Sequence, residues 1–320
     1  MNQILSKVEA KAELSKEEVV KLLSVSTTSE EFYRLLYLAR KYSEETFQNK
    51  GYVFAQIGIN AEPCSINCHF CSMAAKHYVL PNHWQKDINE ITESVKQLVA
   101  DQANDIFLMT TADYPVERFI EIGKAVRQYI PAAIRLVANI GDFDLPTAHK
   151  LKEAGFTGAY HIVRMREGID TGASVEQRVR TLDAICEAGL ELYYCVEPVG
   201  AEHSYEEIAT EIFRAKDYRI GAMAAMRRTP VEGTPLHGYG AISTPELCKI
   251  AAVTLLVVRP SRSMNVHEVT EMSLLAGINQ LYAEAGANPR DVDDNTENNR
   301  GFNTVVLRKM LENSGYTVNS

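Results

Sequence analysis

From about residue 53 onward the chain alternates short β-rich runs with amphipathic helical segments, and it does so eight times. The β-rich runs fall at residues 53–60, 105–109, 134–140, 158–163, 190–197, 220–226, 263–267 and 278–282. Apolar residues at helical spacing fill most of the gaps, at 88–99, 116–129, 147–154, 175–188, 205–215 and 245–257. Strict β–α alternation makes a parallel sheet covered by helices. Eight repeats predict an α/β fold, a (β/α)8 TIM-type barrel, with a six-strand partial barrel as the alternative.

Punctuation supports these boundaries. Ser174 with Gln177, and Ser204 with Glu207, have capping-box spacing at helix starts. Gly155 and Gly189 stand where a helix should end before a strand. Residues 1–50 read as polar and helical, at 15–23 and 29–46, with no evident chemistry. The expected organisation is an N-terminal helical extension over 1–50 and a barrel over 51–320. Its C-terminal tail, polar from Gly286 to Arg300 and helical again over 302–311, should pack on the barrel.

Composition narrows the function. The net charge of −9 argues against a nucleic-acid partner, which needs a positive face. The longest apolar run, 250–258, is half the roughly 18 residues of a membrane span. The acidic N-terminus lacks signal-peptide order, so a cytoplasmic location is expected. Six cysteines are too few for a disulfide scaffold, yet three of them lie within eight residues.

That cluster is Cys64-Ser-Ile-Asn-Cys68-His-Phe-Cys71, a C-x3-C-x2-C pattern. Three thiolates in a tight loop suit one face of an iron–sulfur cubane and leave one iron open to a small molecule. The loop follows the first predicted strand, at the barrel face that carries active sites. A structural zinc site, with His69 or His77 as fourth ligand, is the competing reading, as are three incidental thiols.

C-x3-C-x-aromatic-C after a first strand resembles the signature of the radical S-adenosylmethionine (SAM) superfamily. The layout beyond it resembles the biotin synthase-like branch, including biotin synthase, the maturase HydE, methylornithine synthase and HmdB. The shared texture includes Gly233-Thr-Pro-Leu236 after the sixth strand and Ala276-Gly277 before the last. The resemblance implies a complete barrel and a [4Fe–4S] cluster on Cys64, Cys68 and Cys71. It implies SAM chelating the open iron, and reductive cleavage to methionine and a 5′-deoxyadenosyl radical that takes hydrogen from a substrate. It also implies an external one-electron donor such as flavodoxin or ferredoxin.

The resemblance places Phe70 near the adenine of SAM, and Thr110, Thr111 and Asn139 at strand ends facing the cofactor. Either Arg164 or Arg166, with Glu167, would hold its carboxylate and ribose; arginine's planar fork suits a carboxylate. Along the fifth strand Glu191, Tyr193, Cys195 and Glu197 alternate with Leu190, Leu192, Tyr194 and Val196. The first set should line the lumen, with Glu197 as an acceptor for SAM or substrate. Tyr193, Cys195, Arg227, Arg228, Asn265, His267 and Glu268 form the expected substrate set, and the cations suggest a small anionic metabolite.

Sulfur-inserting members need an auxiliary cluster, and the biotin synthase pattern expects cysteines for it on the second and third strands and an arginine on the seventh. Here those strands read Ile106-Phe-Leu-Met109 and Leu136-Val-Ala-Asn139, and Asn265 stands on the seventh. Cys186 and Cys248 fall on outer helices, the former in an apolar stripe. The expectation is therefore single-cluster carbon-skeleton chemistry in cofactor or unusual amino-acid biosynthesis. The alternatives are sulfur insertion and a non-catalytic iron–sulfur or zinc barrel; electron carriers close their clusters with a fourth protein ligand.

Overall fold

Parallel pairing runs through all eight β-rich stretches and returns to its start. The strands are β1 (Tyr52–Gly58), β2 (Asp105–Met109), β3 (Arg135–Asn139), β4 (Gly158–Tyr160), β5 (Glu191–Val199), β6 (Ile220–Arg227), β7 (Ser263–Val266) and β8 (Gln280–Ala283). Each pairs with its successor, and β8 pairs with β1, so the sheet is a closed barrel. The six-strand alternative is set aside. These statements come from a computed structural model that describes residues 1–283 and 302–318. The polar stretch from Gly286 to Arg300 lies outside the described residues.

Helices α1 (Asn2–Glu9), α2 (Lys16–Leu23) and α3 (Glu30–Phe47) form the N-terminal extension. One helix follows each strand: α4 (Ile88–Ala100), α5 (Val116–Arg127), α6 (Leu145–Glu153), α7 (Val175–Glu187), α8 (Tyr205–Lys216), α9 (Thr244–Val258), α10 (Glu271–Leu275) and α11 (Thr304–Asn313). The capping boxes at Ser174 and Ser204 are both formed. Gly155 and Gly189 take positive φ just past α6 and α7.

The extension explains the apolar run at 250–258. Helix α9 is buried nearly all round because α2 and α3 cover the side that would otherwise face water; a helix apolar on every face must be enclosed. Lys249 is buried in that contact, donating to the Val25 carbonyl (2.9 Å) and pairing with Glu246 (3.0 Å).

Side-chain alternation divides the barrel. Leu190, Leu192, Tyr194 and Val196 join the layer between sheet and helices. Inside, Phe54, Phe107, Val137, Tyr193, Ala222 and Tyr282 form a separate apolar plug. Phe107 packs on Phe54 and Tyr193 with ring centroids 5.0 and 5.1 Å apart. Below the plug, Arg262 donates to Asp105 (2.7 Å), Glu191 (3.3 Å) and the Tyr193 hydroxyl (2.7 Å). Arg135 also reaches Glu191 (2.7 Å). The plug closes the lumen toward this end and leaves it open at the strand C-termini.

Candidate active site

The long loop between β1 and α4 carries the three cysteines across the open end. Its conformation is held from both sides. Within the loop, the Cys64 amide donates to the Met73 carbonyl (2.8 Å) and the Ala75 amide to the Cys64 carbonyl (3.0 Å). Asp113, after β2, accepts from both the amide and the hydroxyl of Ser65. The Gly172 amide, after β4, donates to the Ile66 carbonyl at 2.6 Å. A Cβ at Gly172 would lie 2.7 Å from that same oxygen, so only glycine allows this approach. The His69 amide donates to the Asp170 carbonyl (2.8 Å), and the Leu236 amide to the His69 carbonyl (3.2 Å). Loops after β2, β4 and β6 therefore fix the cysteine loop.

Cys64, Cys68 and Cys71 are all free thiols; Cys68 is buried and the others half-buried. Burial pushes the Cys68 thiol up to about 11 and raises Cys64 as well. Thiolates in this setting need a strongly positive partner, which the irons of a cluster provide. Among the described residues no three His, Cys, Asp or Glu side chains converge on a point that one metal ion could share. Three thiolates on three separate irons have no need to converge. Three neighbouring thiols on one tight loop are a donor set that would fit three irons of a cluster.

Phe70, Cys71 and Ser72 form one wall of a cavity that descends into the lumen as far as Phe107 and Tyr193. Asn139, Cys195, Glu197, Arg228, Asn265 and His267 line it too. Asn139 donates to Gln56 (3.0 Å), Asn265 donates to Gln280 (3.2 Å), and His267 stacks on Tyr282 at 4.1 Å. Tyr193 belongs to the cavity floor, with its hydroxyl turned down to Glu191 and Arg262.

Several expected residues lie elsewhere. Arg164 is largely buried: burial opposes its charge, but Cys68, Glu167 and Glu197 outweigh that and hold it protonated. Arg166, two residues on, turns outward to Glu207 (2.6 Å) and the Glu202 carbonyl (3.2 Å). Of the two arginines, Arg164 has Cys68 among its electrostatic neighbours, and neither lines the cavity. Glu167 is enclosed by Arg178 (3.2 Å), the Thr171 hydroxyl and the Arg164 amide (2.9 Å), so it braces the loop. Thr111 exchanges hydrogen bonds with Asn60, whereas the Thr110 hydroxyl is buried without a partner.

The expected convergence of cations fails. Arg227 pairs with Glu268 (2.6 Å) and donates to the Ile242 carbonyl (3.1 Å), and neither Arg227 nor Glu268 lines the cavity. Arg228 does line it, but two of its nitrogens bind Glu202, one at 2.8 Å. Its Nε is buried with no partner. Cys186 also departs from expectation: it is exposed, because the buried face of α7 runs through Arg178, Thr181, Leu182 and Ile185.

No family model matches the chain. It is 26% identical over 300 residues to the biotin synthase of Pelotomaculum thermopropionicum, covering 88% of this chain and 91% of that protein. Identity to the biotin synthase of Aquifex aeolicus is 27% over 254 residues, covering 75% and 74%. The solved structure of methylornithine synthase shares the fold with a TM-score of 0.85 at 20% identity, over 99% of this chain and 97% of that one. In sequence the chain is similar to biotin synthases and in fold to methylornithine synthase, likenesses that support a radical SAM, biotin synthase-like member. The maturase HydG from Carboxydothermus hydrogenoformans has the same fold, with a TM-score of 0.80 at 16% identity over 98% and 78%.

A likeness to radical SAM proteins implies a [4Fe–4S] cluster and SAM. Gln56 and Tyr160 are among the cavity residues that carry no motif in the sequence. Gln56 alternates with Phe54 on the lumen side of β1, and Tyr160 ends β4. Period-two alternation on those strands was the available signal. Arg178 and Asp142, joined at 3.0 Å, and His161, 3.0 Å from Asp142, form a buried network behind Arg164. No local motif announces it, because its members come from three separate segments.

Proposed function

We propose that this protein is a single-cluster radical SAM enzyme acting on the carbon framework of a small metabolite in cofactor or unusual amino-acid biosynthesis. Cys64, Cys68 and Cys71 would hold the cluster. When bound, cluster and SAM supply a 5′-deoxyadenosyl radical that abstracts hydrogen from substrate, after one electron from a flavodoxin- or ferredoxin-class donor.

The chain's own residues would bind and orient. Phe70 packs beside the adenine, and Arg164 holds the SAM carboxylate from its place beside Cys68. Thr110, whose buried hydroxyl has no partner, and Asn139 and Glu197 take the remaining polar groups of SAM. Substrate lies deeper, against Cys195, Arg228, Asn265 and His267. The argument for an anionic substrate now rests on Arg228 alone, through its unpartnered Nε. The apolar plug shields the radical from water at the far end of the lumen.

The observation that carries the single-cluster reading is the filling of the lumen. Phe107 on β2 and Val137 on β3 point into the plug, at strands where the biotin synthase pattern expects auxiliary-cluster cysteines. Cys195 has no second thiol beside it: Cys186 is exposed on α7 and Cys248 is buried on α9. The biotin synthase relatives favour sulfur insertion as a second reading, which requires a second cluster. Anaerobic incubation of reconstituted protein with SAM and dithionite tests the proposal. Release of 5′-deoxyadenosine is expected, and its absence from fully iron-loaded protein contradicts the radical reading.

A further inference from the structure

Cys195 is a buried thiol in the wall of the radical cavity, where the scheme above gives it contact with substrate but no chemical step. The Tyr160 and Glu197 side chains, one on the neighbouring strand and one two residues along its own, line the same cavity beside it. In register with it on β6 stands Ala224, and Ala222 also lines the cavity, so small side chains leave the thiol uncovered on that side. Arg228 lines the same cavity and is almost fully enclosed, with its Nε lacking any partner. A ligand whose anionic end met that nitrogen would share the cavity with Cys195.

We infer that Cys195 is a hydrogen-atom donor to a carbon radical formed in this cavity, an inference that rests on the radical reading above. An S–H bond is weaker than an alkyl C–H bond, so the transfer runs downhill. The S–H bond breaks homolytically, its hydrogen atom forms the new C–H bond, and a thiyl sulfur remains. One electron from the ferredoxin- or flavodoxin-class donor, or from dithionite in vitro, and one proton through Glu197 restore the thiol. Hydrogen-atom donation needs the protonated thiol, and burial together with the Glu197 carboxylate pushes Cys195 well above the ordinary thiol range. Serine in its place is close in size and polarity but has an O–H bond too strong to give up its hydrogen.

The test needs no substrate. Holoprotein exchanged into D2O is incubated with SAM and dithionite, and the deuterium content of each 5′-deoxyadenosine formed is read by mass spectrometry. Wild-type protein should give monodeuterated 5′-deoxyadenosine. Cys195→Ser and Cys195→Ala should lower the label to natural abundance while retaining the full iron content, which separates a hydrogen donor from a cluster ligand. Unlabelled product from wild type, or equal label from Cys195→Ser, overturns the inference and leaves the radical reading standing. No 5′-deoxyadenosine from any of the three proteins overturns that reading, and the inference with it.

Discussion

The two ends of the barrel lumen are built from opposite materials. At the N-terminal end, charges face charges: Arg262 with Asp105 and Glu191, and Arg135 with Glu191. At the C-terminal end stand thiols, amides and hydroxyls, and the cations there are already engaged or lie beside the cysteine loop. The plug of Phe54, Phe107, Tyr193 and Tyr282 separates them. The floor is arranged to hold the strands together, and the mouth to hold something else. Barrels of this class concentrate stability at one face and chemistry at the other.

The largest effect should come from the mouth. Cys64→Ala, Cys68→Ala or Cys71→Ala should abolish 5′-deoxyadenosine formation while the apo protein keeps its thermal midpoint, checked by product assay and calorimetry. A floor substitution should do the reverse. Arg262→Ala leaves Asp105 fully buried without its cation, and removing one partner of a buried pair costs about 3–5 kcal/mol. Urea unfolding should show that loss; an unchanged midpoint would break the division between the two ends.

Arg164→Ala tests the mouth again, more gently. Loss of a charged hydrogen bond of about 1.5–3 kcal/mol should weaken SAM binding roughly ten- to hundredfold, measured by calorimetric titration of anaerobic holoprotein.

The network behind Arg164 should titrate. His161 is enclosed with Asp142, Arg178 and Arg164, and burial lowers its pKa below the ordinary 6.5. Burial lowers His203 likewise. The unfolded chain takes up protons below about 6.5 that the folded chain refuses, so stability is full above that pH and falls as pH drops beneath it. Denaturation across that range should show the slope, and His161→Gln should flatten it.

The smallest effect belongs to Arg166→Ala. Its pair with Glu207 is part-exposed and is worth at most ~1 kcal/mol, and SAM affinity should not change.

Much of this division is legible in the sequence. Period-two alternation on β5 sends Cys195 and Glu197 inward, and the eight β–α repeats set the barrel. The cysteine spacing names the cluster loop. What the sequence hides is pairing across segments. Arg227 and Arg228 are adjacent, yet one turns out to Glu268 and the other in to Glu202. Arg164 and Arg166 share a loop, and positive φ at Arg166 helps to send their side chains to different places. Such partners lie tens of residues apart, and only the closed barrel brings them together.

The central claim is one cluster on three ligands. Iron and sulfide counted in reconstituted wild type and in the triple variant Cys64→Ala/Cys68→Ala/Cys71→Ala test it most directly. The account predicts about four irons per chain in the wild type and none above background in the variant. A cluster that survives in the triple variant contradicts it.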